Sequence, residues 1–289
     1  MKAIVVSNCA TKAYYQYLSA LFPEWEVRSV IVTQAEEWIA SGHEGFLEYL
    51  AQVDVFVGLP NLYANTLKPA LNPQAQLVMI PSFAYLGNRL DCFWLNKVTS
   101  PTRAGVLNSR LAVRSYLEGK TIAQTLPLFC DAQFEVEGYY DPEDRQRDAL
   151  LSLYGAQGID LKDAFESWQS EGDFLHTPNH PETKVFFDIL STALRAAGLK
   201  TALSAQEQAQ LRAKSEDYLA DNIIWPIYPE IAARRGIKNP KIQWRAATNS
   251  KEPAFGLEEM LNRSFARFEA TPNLQHLVKV SLAADINRI

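Results

Sequence analysis

The sequence predicts an α/β fold: a parallel sheet flanked by helices in the N-terminal part, followed by a mainly helical C-terminal part. Three observations carry that expectation. Over the first hundred or so residues, short apolar runs alternate with longer amphipathic stretches. The runs are near-continuous in Val, Ile and Leu, as in strands covered on both faces of a parallel sheet. Beyond about residue 100 the hydrophobic period is that of helices almost throughout.

Element by element, AIVVS (3–7) reads as a buried strand and 11–22 as a helix, with Tyr14, Tyr15, Leu18, Leu21 and Phe22 in its apolar pattern. EVRSVIV (26–32) is β-branched and strand-like. The stretch 34–51 has helical spacing, with Trp38, Ile39, Phe46, Leu47 and Leu50 to one side. VDVFVGL (53–59) and QLVMIPS (76–82) supply a third and a fourth strand. A helix follows from Ser100-Pro101, an early proline being a favoured helix start, to Gly119. Further helices are expected over 121–130, 142–154, 160–170, 181–197 and 204–221, the second opening on Asp141 as cap and Pro142 as first residue. The segment IIWPIYPEIAARRGIKNPKIQWR (223–245) is rich in aromatic residues and proline and reads as irregular packing. The expected organisation is a core of residues 1–200 and an extension, 201–289, packed on it.

With 289 residues, 47% of them hydrophobic, the chain can bury a sizeable core. A net charge of −5 argues against a general nucleic-acid surface, which needs a basic face. No apolar run approaches the roughly 20 residues of a membrane span, and the N-terminal run is too short for a signal peptide. The three cysteines, Cys9, Cys92 and Cys130, are odd in number and far apart, which predicts neither a disulfide framework nor a zinc pair. A reduced, cytoplasmic protein without a metal is expected. Glycine-rich dinucleotide and phosphate loops are absent, as is a G-x-S-x-G nucleophile elbow.

Parallel sheets bind ligands beyond the carboxyl ends of their strands. Three punctuated ends are therefore of interest: Ser7-Asn8-Cys9, Leu59-Pro60-Asn61 and Pro81-Ser82-Phe83. Cys9 falls where a strand hands over to a helix, whose first N–H groups would lower a thiol pKa and hold an oxyanion. Asn8 can donate to the same oxyanion. By position alone, a lone cysteine is more commonly a small buried hydrophobe. In FLHTPNHPETKVFF (174–187), Pro181 suggests the first turn of a helix and puts His180 at its N-cap. A helix N-terminus keeps imidazole neutral, as a general base requires. Asn179 can orient it or bind substrate, His180 as a mere polar cap is the alternative, and His176 is its rival for the role. Lys12, Lys97, Arg103, Arg110 and Arg114 form a basic set. The three arginines line one stripe if all share one helix, a stripe that grips phosphates or is simply solvated. Lys12 opens the helix after Cys9, near any anion bound there.

Three blocks in this order resemble the WcbI-type polysaccharide biosynthesis family, which is named for an acetyltransferase of bacterial capsule synthesis. Its members open with a strand ending in Asn-Cys, usually GNCQ, and this chain has VSNCA. A proline turn followed by an aromatic and a glycine corresponds to VMIPSFAYLG (78–87), and an Asn-His-Pro block leading into a helix corresponds to FLHTPNHPE (174–182). The resemblance covers about residues 2–200. It implies an acyltransferase that binds coenzyme A, with Cys9 and His180 as the reacting pair beside Asn8 and Asn179. Lys12, Ser82, Arg103, Arg110 and Arg114 would then hold coenzyme A, and the acceptor would be a sugar hydroxyl on a polysaccharide precursor. Two departures stand out: Ser7 and Ala10 replace the usual Gly and Gln, and GNRLDCF (87–93) replaces a His-Pro-Asp run, which implies a different acceptor. An esterase laid out like the SGNH hydrolases and a catalytically silent ligand-binding member are the competing expectations.

Overall fold

A computed structural model of the chain describes all residues except 104, 141–142, 247–251 and 287–289. The predicted cap at Asp141-Pro142 lies outside the described residues. The chain opens with β1 (Lys2–Ser7), α1 (Thr11–Leu21), β2 (Glu26–Ile31), α2 (Val32–Ala40), α3 (Glu44–Leu50), β3 (Val55–Gly58), the single turn α4 (Pro60–Leu62) and β4 (Gln76–Met79). It continues through β5 (Cys92–Trp94), β6 (Leu107–Ser109), α5 (Arg110–Leu117), α6 (Ile122–Thr125), α7 (Asp131–Val136), α8 (Glu143–Gly155) and α9 (Lys162–Glu171). The hairpin β7 (Leu175–Thr177) and β8 (His180–Pro181) precedes α10 (Thr183–Ala196), α11 (Ala205–Lys214), α12 (Pro229–Arg235), α13 (Leu257–Glu269) and α14 (Leu274–Ile286). The α/β class is as expected: four parallel strands between helices, then a mainly helical remainder.

Two compact units divide the chain. The first comprises Met1–Phe83, Leu151–Glu166 and Glu182–Asp217, the second Ala84–Leu150, Ser167–Pro181 and Tyr218–Ile289. In the first, the strand order is β2-β1-β3-β4, all parallel. Ser7 faces Ile31, Val6 faces Gly58, and Gly58 faces Met79, so the four carboxyl ends lie level. The chain runs outward from β1 to β2 and returns past β1 to β3, which puts the topological switch point between β1 and β3. Gly58 ends β3 for a steric reason: a Cβ there would lie 2.5 Å from the Phe56 ring and 2.7 Å from the Val6 carbonyl.

Alternating residues of β1 and β3 serve both faces of this sheet. Ile4, Val6 and Phe56 cluster with Ala35, Phe46 and Leu50 from α2 and α3. On α1, Tyr14 and Tyr17 meet Phe186 and Phe187 of α10 edge to face, at 5.4 and 5.1 Å. Within this sheet, burial is complete along β3 and along β1 beyond Lys2. As an edge strand, β2 is exposed or half-buried along its length. The second unit has its own core, built on Phe93, Leu111, Phe134, Trp225, Trp244 and Met260.

Several predicted elements change on folding. The helix expected over 34–51 is two, because Gly42 takes a left-handed φ of +66° and His43 caps α3, its Nδ1 accepting from the Phe46 N–H at 3.3 Å. The helix expected from Ser100 begins only at Arg110. Residues 107–109 pair antiparallel with β5 instead, and Ser109 becomes the cap, its hydroxyl accepting from the Ala112 N–H at 2.9 Å. Arg103, at φ +62°, is not helical. The expected helix 121–130 resolves into α6, a 3-10 turn at Leu126–Leu128 and then α7, and 204–221 is helical only as far as Lys214. Finally, α10 starts at Thr183, so His180 is not its N-cap but part of β8.

Candidate active site

Cys9 is the second residue beyond β1, at the carboxyl end of the sheet and at its switch point, where such folds bind ligands. It precedes Ala10, the N-cap of α1. The Asn8 carbonyl accepts from both the N–H (3.1 Å) and the hydroxyl (2.7 Å) of Thr11, which fixes the strand-to-helix turn. The Asn8 side chain spans the site. Its Oδ1 accepts from the Ala10 N–H at 3.3 Å and lies 3.5 Å from the Cys9 Sγ, and its Nδ2 donates to the Ser82 hydroxyl at 3.1 Å. Two of the three punctuated ends thus meet through Asn8 and Ser82. The Tyr154 hydroxyl supports the second of them, donating to the Pro81 carbonyl at 3.0 Å. Lys12 is exposed on the first turn of α1.

The electrostatics at Cys9 reverse the expectation of a lowered pKa. Burial pushes the thiol up to about 11, although the backbone N–H groups of Cys9 and Ala10 act in the opposite direction. Cys9 is therefore a thiol at neutral pH, with its sulfur against two amides suited to an anion.

His180 lies in the second unit. The β7–β8 hairpin pairs Leu175 with Pro181 and Thr177 with His180 around a turn at Pro178-Asn179. Both sides of it are anchored: the Tyr85 N–H donates to the Pro178 carbonyl and the Trp225 N–H to the His176 carbonyl, each at 2.8 Å. The Asn179 Oδ1 accepts from the Thr177 hydroxyl at 3.0 Å. His180 is neutral, as expected, but for another reason than a helix end. Burial first, then the nearby His176, lower its pKa to about 4. His180 Nδ1 is shielded from solvent with no hydrogen-bond partner among the described residues. His176 lies on β7, deeply buried.

The arginines do not share a helical stripe. Arg103 pairs with Glu252 at 2.6 Å, and Arg114 with Glu137 and Glu118. Arg110 lies over the Phe93 ring, 5.2 Å from its centre, and lines a cavity of about 330 Å³ together with Arg145, Tyr139 and Gln146. Among the described residues, no group of three His, Cys, Asp or Glu side chains could hold a metal ion.

Reasoning from sequence missed two buried polar centres in the second unit. Arg89 donates to both oxygens of Asp173 (2.9 and 3.0 Å) and to the carbonyls of Leu175 and Trp225 (2.9 and 2.6 Å), and so fastens the base of the hairpin. Burial would raise the Asp173 pKa, but Arg89 and Lys241 outweigh it and leave it lowered. Asp91 accepts from the Tyr139 hydroxyl and the Leu111 N–H, each at 2.8 Å, and from the Tyr228 hydroxyl. Arg89 and Asp91 both belong to GNRLDCF (87–93), and in the structure both are internal anchors.

The profile of the family described as "Polysaccharide biosynthesis enzyme WcbI" matches residues 2–202. The chain belongs to the WcbI family. No curated protein and no solved structure matches it. The WcbI match spans every element placed around Cys9 and the whole His180 hairpin. Membership makes the chain an enzyme of polysaccharide biosynthesis, with a carbohydrate substrate. No described helix is long and apolar enough to cross a membrane.

Proposed function

We propose that this WcbI-family enzyme transfers an acetyl or related acyl group from coenzyme A to a sugar hydroxyl, with Cys9 as nucleophile and His180 as base. The observation that carries this reading is the position of Cys9: at the switch point of the sheet, its sulfur beside the amides of Cys9 and Ala10. A thiol with a raised pKa needs a base, and His180 is held unprotonated at neutral pH. On this reading the imidazole takes the thiol proton and Cys9 Sγ attacks the thioester carbonyl. The two amides and the second Nδ2 hydrogen of Asn8 receive the oxyanion. Coenzyme A leaves as the thiol, with the proton returned by His180. The sugar hydroxyl then attacks the acyl-enzyme, passing its own proton to His180 and releasing Cys9.

Of the basic set, Arg103 and Arg114 pair with Glu252 and Glu137, which suits them less to the phosphates of coenzyme A. Ser82 acts through Asn8, holding its amide in place. Asn179 acts by shaping the turn that carries His180.

The test is release of the coenzyme A thiol from acetyl-CoA, with and without a pool of sugar acceptors. Acceptor-dependent release by the wild type, falling at least about a thousandfold in Cys9→Ala of unchanged circular dichroism, is expected. Release indifferent to acceptor would favour a hydrolase. Full activity in Cys9→Ala would remove the nucleophile.

A further inference from the structure

A second candidate site lies in the first unit and shares no residue with the surroundings of Cys9. A groove of about 540 Å³ runs along the edge strand β2, where α2 and α3 flank it. Its lining includes Tyr15, Arg28, Ser29, Trp38, His43 and Tyr49. Half-buried Trp38 is fixed in orientation by Phe46 and His43, whose ring centres are each 5.1 Å away. Tyr49 is held by its hydroxyl, which donates to the Ala3 carbonyl at 3.1 Å, and the Arg28 guanidinium lies 4.0 Å above its ring centre. His43 Nδ1 accepts from a backbone N–H, so the neutral ring carries its proton on Nε2 and presents a donor. Tyr15, 38% exposed, also lines the groove.

Rigid aromatic rings beside planar or hydroxyl hydrogen-bonding groups are what a sugar ring requires. The C–H bonds on one face of a hexose carry partial positive charge and pack on a π face, which is negative. Hydroxyls at the ring edge need donors and acceptors set at the rim, and Arg28, Ser29 and the His43 Nε2–H provide them. The charge of the groove selects among sugars. Glu26 already answers Arg28 at 2.8 Å, and Arg28 is the one Lys, Arg, Asp or Glu among the lining residues. The lining therefore leaves no unanswered positive charge to draw a uronic or phosphorylated chain, whereas a neutral chain needs none.

We infer that the β2 groove is a binding subsite for a neutral oligosaccharide, separate from the Cys9 centre, which lets the enzyme hold its polymeric substrate at a second point. This rests on membership in a polysaccharide biosynthesis family and not on the acyl-transfer chemistry. The test is saturation-transfer NMR on the full-length protein with neutral hexasaccharides of glucose, galactose and mannose, and a galacturonate hexamer for comparison. Transfer to at least one neutral hexasaccharide is expected, unchanged in Cys9→Ala and weakened about tenfold in affinity in Trp38→Ala. Tyr15→Ala, at an exposed position, should weaken it too and guards against a misfolded Trp38 variant. No transfer to any neutral chain, tighter binding of the galacturonate hexamer, or binding untouched in both aromatic variants would overturn the proposal. So would a wild-type dimer, seen by sedimentation and lost in Trp38→Ala, which would assign the groove to a second copy of the chain.

Discussion

At the scale of single residues, the proposed mechanism makes Cys9 and His180 interdependent. A Cys9 thiol near pKa 11 is a poor nucleophile alone, because the thiolate fraction at neutral pH is small. In the absence of substrate, alkylation of Cys9 by iodoacetamide should rise about tenfold per pH unit from pH 7 to 9 without levelling. A plateau below pH 8 would show a thiolate activated by the helix start alone. His180 provides a second pH test. Its folded pKa, about 4, lies below the ordinary 6.5, so the unfolded chain takes up the proton first. The contribution is therefore complete above about pH 6.5 and is lost as pH falls towards 4, by up to about 3 kcal/mol. Urea unfolding of wild type and His180→Gln across that window should show a steeper decline in the wild type, and parallel curves would refute the shift.

At the scale of elements, the hairpin that carries His180 depends on Arg89. Its guanidinium ties Asp173, Leu175 and Trp225 together where the ion pair is 1% exposed on both sides. Removing one partner of a buried pair strands the other, so Arg89→Met should lower stability by about 3–5 kcal/mol in urea unfolding. A loss below about 1 kcal/mol would mean that the hairpin stands without it. None of this was readable from the sequence, since Arg89 and Asp173 are 84 positions apart. The β1, α1 and β3 segments were readable, because their period reports burial directly. Elsewhere local signals lost to tertiary pairing. Ser100-Pro101 looked like a helix start, yet β6 must pair with β5, and that delays α5 to Arg110. Pro181 looked like a first helical residue, yet Pro181 opposite Leu175 keeps it extended. That single misreading gave the right charge state for His180 from the wrong cause.

At the scale of the whole molecule, the spatial order of the strands marks where folds of this kind bind ligands. A 2-1-3-4 parallel order has its switch point beside β1, and β1 ends in Ser7-Asn8-Cys9. Ser7 is buried at the end of β1 and pairs in register with Ile31, so a Cβ is accommodated there. Cys9 belongs to the first compact unit and His180 to the second. In the sequence 171 positions separate the two residues (180 − 9). The central claim is that Cys9 takes the acyl group. Rapid-quench intact-mass analysis after mixing with acetyl-CoA tests it most directly. The account predicts one acetyl group on Cys9, absent in Cys9→Ala and strongly slowed in His180→Ala. Turnover of acetyl-CoA at the wild-type rate by Cys9→Ala, with no acetyl group on the wild-type cysteine, would contradict it.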